Sequence, residues 1–344
     1  MFVPRRHPLR SAMTLIEIMV ALMIFVIAGG AMVSILVLST DLYRRGEYSR
    51  NANDEAIAVL GELNQDLDRL ISPSAGGWLY CSVSSSAGDC VLAFTAAIDT
   101  SVRLNNTGTG LEFTNKSATS SAVGNVSARH IVVWWVNGRF LYRGVMPWNP
   151  QATASAQYDV VTNFAQNPGS SFGGDTRVIA QGCLHFGTWL SFDSNGQVGF
   201  PHRQDPNTWE LGTPGQSLLP PRMRYDSYDS APNGNNLPPP CPQALRLSLT
   251  LTGGGRYAPR GTLASDNFSD HRIRVAGLGG LPMAAGTTFL RIDDEWIRYE
   301  RSNGPLVEFG DEGRGARRST KSDHGRGATV EVGQQYTLIR GISR

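Results

Sequence analysis

The chain is poor in charged side chains, and its net charge is close to zero. Charged residues make up 17% of the 344 residues, and the formal net charge is +2. Arg5, Arg6 and Arg10 lie in an N-terminal stretch without acids, so the rest of the chain holds 28 basic and 29 acidic residues. No basic field of the kind that binds phosphate backbones remains, and we predict no nucleic-acid partner.

Sequence motifs of enzymes and metal sites are also missing. The four cysteines form no CxxC pair, and the six histidines show no HxxxH spacing, which argues against a zinc site. No GxSxG, P-loop or GxGxxG motif stands where a strand would turn into a helix. We therefore predict no cofactor and no enzymatic activity.

Three polar stretches contain residues that could form a site. The acidic run Asp293-Asp294-Glu295 is assigned to a hairpin turn rather than to acid–base chemistry, because acidic residues are common in turns. The mixed-charge stretch 310–321 is interpreted as a solvated loop, with a carbohydrate or partner contact as the alternative. A calcium site built from loop oxygens stays open at two places, Asp226 with Asp229 and Asp266 with Asn267.

The chain does contain one long apolar run, residues 13–38. Glu17 is its single ionisable side chain. As a helix it would be about 39 Å long, enough to cross a hydrocarbon layer of roughly 30 Å. The arginines before it, with no acid among them, favour a cytoplasmic N-terminus and place everything after Leu38 on the far side of the membrane.

The start of this run resembles the N-terminus of type IV pilins and type II secretion pseudopilins. A basic leader (1–12) ends in a small residue, Ala12, and MTLIEIMVAL follows with Glu17 in fifth place from Met13. The family usually has Gly and Phe where this chain has Ala12 and Met13. The resemblance implies cleavage by prepilin peptidase after Ala12 and methylation of Met13. It also implies that Glu17 pairs with the N-terminal amine of a neighbouring subunit. An ordinary signal anchor is the alternative.

Beyond the membrane segment the helix is predicted to become amphipathic and to extend to residue 72. Its apolar residues recur at steps of four and three, which is the spacing of one helical face. Pro73 ends the pattern, because proline disfavours helical geometry in the preceding residue. An isolated coiled coil was the alternative for this stripe, which consists of Ala52, Ala56, Leu60, Leu63, Leu67 and Leu70.

Residues 73–252 are predicted to form a β domain with long polar loops at 101–128, 147–176 and 201–243. The clearest element is a hairpin of strands 131–136 and 139–143 around Asn137-Gly138. Other predicted strands are 78–83, 91–95, a short one at 111–114, and a pair over 178–192 bending near Gly187. Leucines alternate with polar residues over 245–252, which predicts a half-buried strand.

The even number of cysteines suits an oxidising compartment. Cys81 and Cys90 flank a short Ser/Gly loop, which predicts a Cys81–Cys90 disulfide, and Cys183 and Cys241 are then left to pair with each other.

Residues 253–333 are predicted to be an all-β insertion, followed by a final strand of the main domain within 334–344. Short strands are expected at 289–292, 296–300 and 306–309. The pattern FLRIDDEWIRYE…GRGARRST…H…GATV is similar to small all-β modules of phage tails and other surface-assembly proteins. The flanking Gly253-Gly254-Gly255 and Gly333 favour a separate unit whose ends lie close together.

The layout as a whole resembles larger minor pilins of the PilW type and J-type minor pseudopilins. It implies an α+β fold in which a long N-terminal helix packs on an antiparallel sheet. The expected function is that of a structural subunit, whose partners are other pilins or pseudopilins, the inner membrane and prepilin peptidase. The protein would reside in the inner membrane, then in a periplasmic or cell-surface filament. A membrane-anchored adhesin is the first alternative and a periplasmic enzyme the last.

Overall fold

The computed structural model describes residues 15–83, 88–104, 111–114, 122–149, 154–166, 175–191, 224–227, 242, 244–253, 260–265, 271–277, 288–310, 313–317 and 319–342. The chain divides into two compact units, Met1–Tyr48 and Ser49–Arg344. Each is described below by itself. The fold is α+β, with one long apolar N-terminal helix and antiparallel sheets.

The first unit contains the beginning of the helix α1, Leu15–Asp68. Up to Leu38 its side chains are apolar apart from Glu17 and Ser34, and nearly all of them are exposed. This part is long and apolar enough to cross a membrane, as the sequence predicts. A helix that is apolar all round is stable in an apolar surrounding, whether lipid or other helices.

In the second unit the end of α1 is amphipathic and covers a hydrophobic core. Its buried face runs from Ala52 through Ala56, Val59 and Leu63 to Leu67, each at most 7% exposed. Val59 takes the buried place that the sequence pattern gave to Leu60. The helix ends at Asp68, four residues before the predicted end, and a short 3₁₀ turn, Pro73–Ala75, follows.

The largest sheet packed on α1 is antiparallel and has the strand order β6-β5-β4-β2-β1-β8, with β3 paired to β2. Its strands are β1 Leu79–Val83, β2 Cys90–Leu104, β3 Leu111–Thr114, β4 Ala122–Asn137, β5 Phe140–Pro147, β6 Asp175–Gln181 and β8 Arg224–Asp226. We call it the seven-stranded sheet.

Both faces of this sheet are covered, because a second helix, α2 (Ala154–Gln166), packs opposite α1. Trp134 lies in the core under α1, and Trp135 lies in the core under α2, where its ring meets Phe164 edge-on at 4.8 Å. The two neighbouring tryptophans therefore point to opposite faces of the sheet. The loop assignment for 147–176 is wrong, since α2 lies inside it.

Two further sequence predictions are corrected by the strand pairing. The expected loop at 101–128 contains the ends of β2 and β4, which pair from Leu92 opposite Trp134 to Arg103 opposite Ala122. The hairpin turn consists of Gly138 and Arg139, because Asn137 still pairs with Phe140. Gly138 has a φ of +63°, the conformation that a type II′ turn requires at its first central residue.

A second, three-stranded sheet has the order β18-β9-β7, formed by β7 Cys183–Ser191, β9 Ala244–Leu251 and β18 Gln334–Gly341. The break between β6 and β7 falls at Gly182, with φ +75°, rather than near Gly187. All eight residues of β9 are buried, so the prediction of a half-buried strand is wrong. Its leucines face the core under α1, while Thr250 on the other face contacts Arg317.

The chain between β9 and β18 forms an eight-stranded antiparallel sheet of its own, in the order β14-β15-β11-β10-β17-β12-β13-β16. Leu251 at the end of β9 pairs with Gln334 at the start of β18, so the two ends of this stretch lie side by side. The strands are β10 Arg260–Leu263, β11 Arg272–Ala276, β12 Thr288–Ile292, β13 Glu295–Tyr299, β14 Arg301–Asn303, β15 Leu306–Glu308, β16 Arg314–Ala316 and β17 Thr329–Glu331.

Candidate functional site

Glu17 lies in the first turn of α1, and its side chain is exposed. A carboxylate in this place is favoured by the partial positive charge of the helix N-terminus. Ala12 and Met13 lie outside the described residues. The described start of α1 therefore presents one acidic side chain on an otherwise apolar surface, where Leu15 is 78% exposed and Ile16 is 70% exposed.

The amphipathic end of α1 is held to the seven-stranded sheet by a buried carboxylate, Asp66. The indole Nε1 of Trp134 donates to Asp66 Oδ2 at 3.0 Å. Arg143 donates from Nε to Oδ2 at 2.6 Å and from a terminal nitrogen to Oδ1 at 2.7 Å. The Asp66 side chain is 3% exposed and that of Arg143 is 12% exposed, so this fork-like pair is shielded from water.

A second row of contacts connects α1 to the edge strands of the seven-stranded and three-stranded sheets. Glu62 pairs with Arg177 of β6 and lies 3.3 Å from Arg143. On the other side, Tyr336 of β18 donates to Asn53 Oδ1 at 2.6 Å, and Arg340 pairs with Asp68. In these contacts the later residue of β18 meets the later residue of α1, so β18 runs parallel to α1. β6 runs antiparallel to α1, because its later residue Gln181 meets Glu55, which is earlier in α1 than Glu62.

The carboxyl group of Glu55 is destabilised in its ionised form. Burial raises its pKa, and the backbone N–H that Gln181 donates to it lowers the pKa by a smaller amount, so the net shift is upward. The same carboxylate adds to the effect of burial in raising the pKa of Tyr336. A glutamate at this place therefore weakens the packing of α1 at neutral pH.

The predicted Cys81–Cys90 disulfide is not formed. Cys81, Cys90 and Cys183 are all buried, and no disulfide joins them. Cys81 lies opposite Leu92 while Cys90 lies opposite Val83, so the two sulfurs occupy diagonal positions. Side chains on a diagonal of a β ladder are about 7 Å apart, whereas a disulfide needs Cβ atoms about 3.8 Å apart.

Cys183 is buried within the same core as Cys81 and Cys90. Burial, assisted by the nearby Asp89, raises the pKa of the Cys183 thiol well above its usual value, so the thiol stays protonated and unreactive. Cys241 lies outside the described residues, and its pairing with Cys183 stays a prediction.

The densest polar cluster lies in the eight-stranded sheet around Glu295. Its carboxylate is completely buried and accepts hydrogen bonds from Arg314 at 3.0 and 2.8 Å and from the backbone N–H groups of Gly315 and Ser322, both at 3.0 Å. Burial alone would raise its pKa, but the charge and hydrogen bonds of Arg314, with Ser322 and His324, outweigh it and lower the pKa. The acidic run was assigned to a hairpin turn. Asp293 and Asp294 do form the turn, but Glu295 is a structural carboxylate of β13.

His324 completes this cluster and resembles a catalytic histidine in its distances. Its Nδ1 lies 3.1 Å from Asp293 Oδ2, and its Nε2 lies 3.2 Å from Ser322 Oγ and 3.0 Å from Glu295 Oε2. A carboxylate oxygen lies within hydrogen-bond distance of each ring nitrogen, and the Nε2 atom that is near Ser322 Oγ is also near Glu295 Oε2. These contacts hold Ser322 and His324 against the turn that precedes β13.

The stretch 310–321, assigned to a solvated loop, contains a fully buried arginine. The Arg317 guanidinium lies between the rings of Phe289 and Trp296, 4.3 and 4.5 Å from their centroids. It donates to Thr250 Oγ1 of β9 at 2.7 Å and so connects the eight-stranded sheet to the three-stranded one. Its φ of +55° is strained for a side chain of this size, which marks a contact fixed by its surroundings.

The possible calcium sites receive no support. Asp226 is in β8, while Asp229, Asp266 and Asn267 lie outside the described residues. Where the structure describes the chain, it places no three His, Cys, Asp or Glu side chains together as metal ligands.

Comparison of the chain with protein-family models, with curated proteins and with solved structures finds no match. The interactions that sequence reasoning missed join residues far apart in the chain, such as Asp66 with Arg143 and Glu295 with His324. The sequence offered one indication: a charged residue within an apolar pattern is rarely buried without a partner. That indication does not identify the partner.

Proposed function

We propose that this chain is a minor pilin or minor pseudopilin, a structural subunit that assembles with other pilin-class subunits through its N-terminal helix. The observation that carries the proposal is the apolar start of α1, whose only charge before residue 41 is Glu17 in the first turn. The amphipathic end of the same helix, packed on antiparallel sheets, agrees with the fold that such subunits require.

The mechanism follows from the electrostatics of an apolar helix bundle. After cleavage before Met13, the new N-terminal amine is a positive charge in an apolar surrounding, where an unpaired charge is costly. Glu17 of a neighbouring subunit neutralises it, and the four-residue offset sets the register between the two helices. Removing either charge leaves the other buried and unpaired, which costs about 3–5 kcal/mol in comparable buried pairs.

Substitution of Glu17 tests this mechanism. Glu17→Ala is expected to leave membrane insertion intact, because it makes the segment more apolar, and to reduce incorporation into filaments. The measurement is the amount of protein in sheared filaments relative to the membrane fraction. Ser34→Ala is the matched control, since Ser34 is a polar residue of the same segment whose hydroxyl bonds only to the carbonyl of Gly30. Normal incorporation of the Glu17→Ala variant into filaments would contradict the proposed pairing.

Processing gives a separate test. The mature protein is expected to have the mass of a chain that starts at Met13 and carries one added methyl group. A mass that includes residues 1–12 would instead identify a signal anchor and would favour a membrane-bound adhesin that does not assemble.

We further propose that the eight-stranded sheet is an insertion displayed on a pilin-like core. Two observations support this: β9 and β18 pair along their whole length, and, among the residues that the structure describes, β10 to β17 pair only with one another. Deleting residues 256–331 and joining the ends with a short Gly/Ser linker is expected to leave a folded, exported protein, because closing a short loop costs only about a kcal/mol. An insoluble or degraded product would mean that this stretch is part of the core and that the proposal of a separate insertion is wrong.

A further inference from the structure

The outer sides of β18 and β6 are open sheet edges. Among the described residues, each of these strands pairs on one side only, β18 with β9 and β6 with β5. Of the other terminal strands, β8, β14 and β16 have three residues each, and the longer β7 is buried from residue 183 to residue 190. β18 has eight residues and β6 has seven. Long open edges template the addition of another strand, and proteins usually shorten, charge or cover them.

The two edges also lack cover on their faces. In β18, Thr337 and Ile339 point away from α1 and are exposed, Ile339 to 48%. In β6, Thr176 and Val178 are exposed on the corresponding face, Val178 to 46%. Exposed β-branched residues along an open edge are the side chains that pair well across neighbouring strands.

Strand direction decides how two copies can combine. Within one chain β18 runs parallel to α1 and β6 runs antiparallel to it, as the contacts of Arg340 and Arg177 with α1 establish. Two copies in the same orientation therefore present β18 and β6 to each other as antiparallel strands. Two β18 strands could pair in the antiparallel sense only if one copy were inverted.

The faces restrict the register. Arg177 and Arg340 are on the α1 side of their strands, so over residues 175–178, before the bulge in β6, odd-numbered residues must lie opposite even-numbered residues of β18. With Val178 opposite Thr337, Thr176 comes opposite Ile339, and Asp175 comes opposite Arg340. The two opposite charges meet, and the four β-branched side chains form two pairs.

We propose that β18 of one copy adds to β6 of a neighbouring copy in the same orientation, with Thr337 opposite Val178. This deepens the proposed function, on which it rests, because a contact between two different edges is not self-limiting and extends into an open assembly. A seven-residue pairing is about 24 Å long, and a sheet is about 10 Å thick, so the pairing covers about 500 Å² in total. Stable interfaces start near roughly 1,200 Å², so the contact operates when subunits are already concentrated in one membrane or filament.

Cysteine pairs in the full chain test the register. Val178→Cys combined with Thr337→Cys is expected to give a ladder of disulfide-linked multimers after oxidation of intact membranes, because each copy carries both halves of the contact. Co-expressed chains that carry one substitution each should stop at a dimer. Moving the second cysteine to Ile339→Cys, two residues out of register, should lower the yield several-fold.

Two controls fix the interpretation. The wild-type chain accounts for the native cysteines, and Arg272→Cys with Thr262→Cys provides exposed positions on neighbouring inner strands of the eight-stranded sheet. A Val178/Thr337 ladder that exceeds both controls several-fold supports the contact. Absence of the ladder, equal yields in the controls, or linkage to a different protein overturns it. Mature mass and membrane location, measured on the same samples, report separately on the proposed function.

To exclude that cysteines merely trap a collision, two differently tagged copies should be co-purified from solubilised membranes. Asp175→Lys is expected to reduce co-purification several-fold, because it would place a lysine opposite Arg340. Arg340→Asp in the other copy should restore it. Failure of this charge reversal to restore association, with both proteins present at normal levels, would contradict the proposed register.

Discussion

Removal of the Asp66 carboxylate is expected to be the most damaging single change in the contact between α1 and the seven-stranded sheet. The Asp66→Ala variant leaves the Arg143 guanidinium and the Trp134 indole N–H buried without their acceptor. Breaking a buried charge pair by removing one partner costs about 3–5 kcal/mol. Glu62, 3.3 Å from Arg143, remains as a second carboxylate, so we expect a loss near the lower limit, about 3 kcal/mol.

The matched control is two residues further along the same helix. Asp68 also pairs with an arginine, Arg340, but the two side chains are 48% and 40% exposed. Exposed pairs contribute about 0–1 kcal/mol, so Asp68→Ala should lower the free energy of unfolding by less than about 1 kcal/mol.

The assay is urea unfolding of the full chain in detergent, followed by tryptophan fluorescence, to which the buried Trp134 contributes. Asp66→Asn should fall between the wild type and Asp66→Ala, because the amide oxygen still accepts one hydrogen bond. Equal losses for Asp66→Ala and Asp68→Ala would refute the reasoning, since burial would then have no influence on the strength of the pair.

Two pH-dependent predictions concern glutamates whose pKa values shift in opposite directions. The raised pKa of Glu55 means that its contribution is most favourable below its ordinary value of 4.5 and is lost as the pH rises through the folded-state pKa. Glu55→Gln should therefore stabilise the protein at pH 7 and leave it unchanged at pH 4, and a destabilised variant at pH 7 would contradict the desolvation argument. The lowered pKa of Glu295 means that its contribution is present above 4.5 and is lost as the pH falls through the folded-state pKa. Glu295→Gln should destabilise the eight-stranded sheet at pH 7 and progressively less toward pH 3, as checked by urea unfolding across that range.

The elements that the sequence predicted well have strong local patterns. The stripe of α1 repeats over five turns, and the final strand predicted within 334–344 is present as β18. The helix α2 was missed because its apolar residues, among them Tyr158, Val161 and Phe164, stand between polar stretches rich in Asn, Gly and Ser. Its four buried apolar residues join the core that contains Trp135 only when the sheet is assembled.

Local sequence patterns could not predict which polar residues are buried. The alternation in β9 predicts one solvated face, but that face is covered by the eight-stranded sheet, which places Arg317 against Thr250. Likewise, Glu295 belongs by its neighbours to an acidic turn, and only the arrival of Arg314 and His324 from a later part of the chain makes it a buried group. Such pairs are separated by 19 and 29 residues, beyond the reach of helical or strand periodicity.

The pairing of β9 with β18 has a consequence for the order of events during synthesis. β9 leaves the ribosome more than eighty residues before the strand that completes its sheet, and closing so long a loop is slow compared with local pairing. The eight-stranded sheet between them has a core of its own and can fold first, as compact units do during translation. The ends of the folded sheet would then bring Leu251 and Gln334 together. The inserted sheet would thereby promote the pairing of β18 with β9, the last step in the folding of the main domain. Mutations that slow the folding of this sheet should therefore slow the folding of the main domain without altering any residue of the helix.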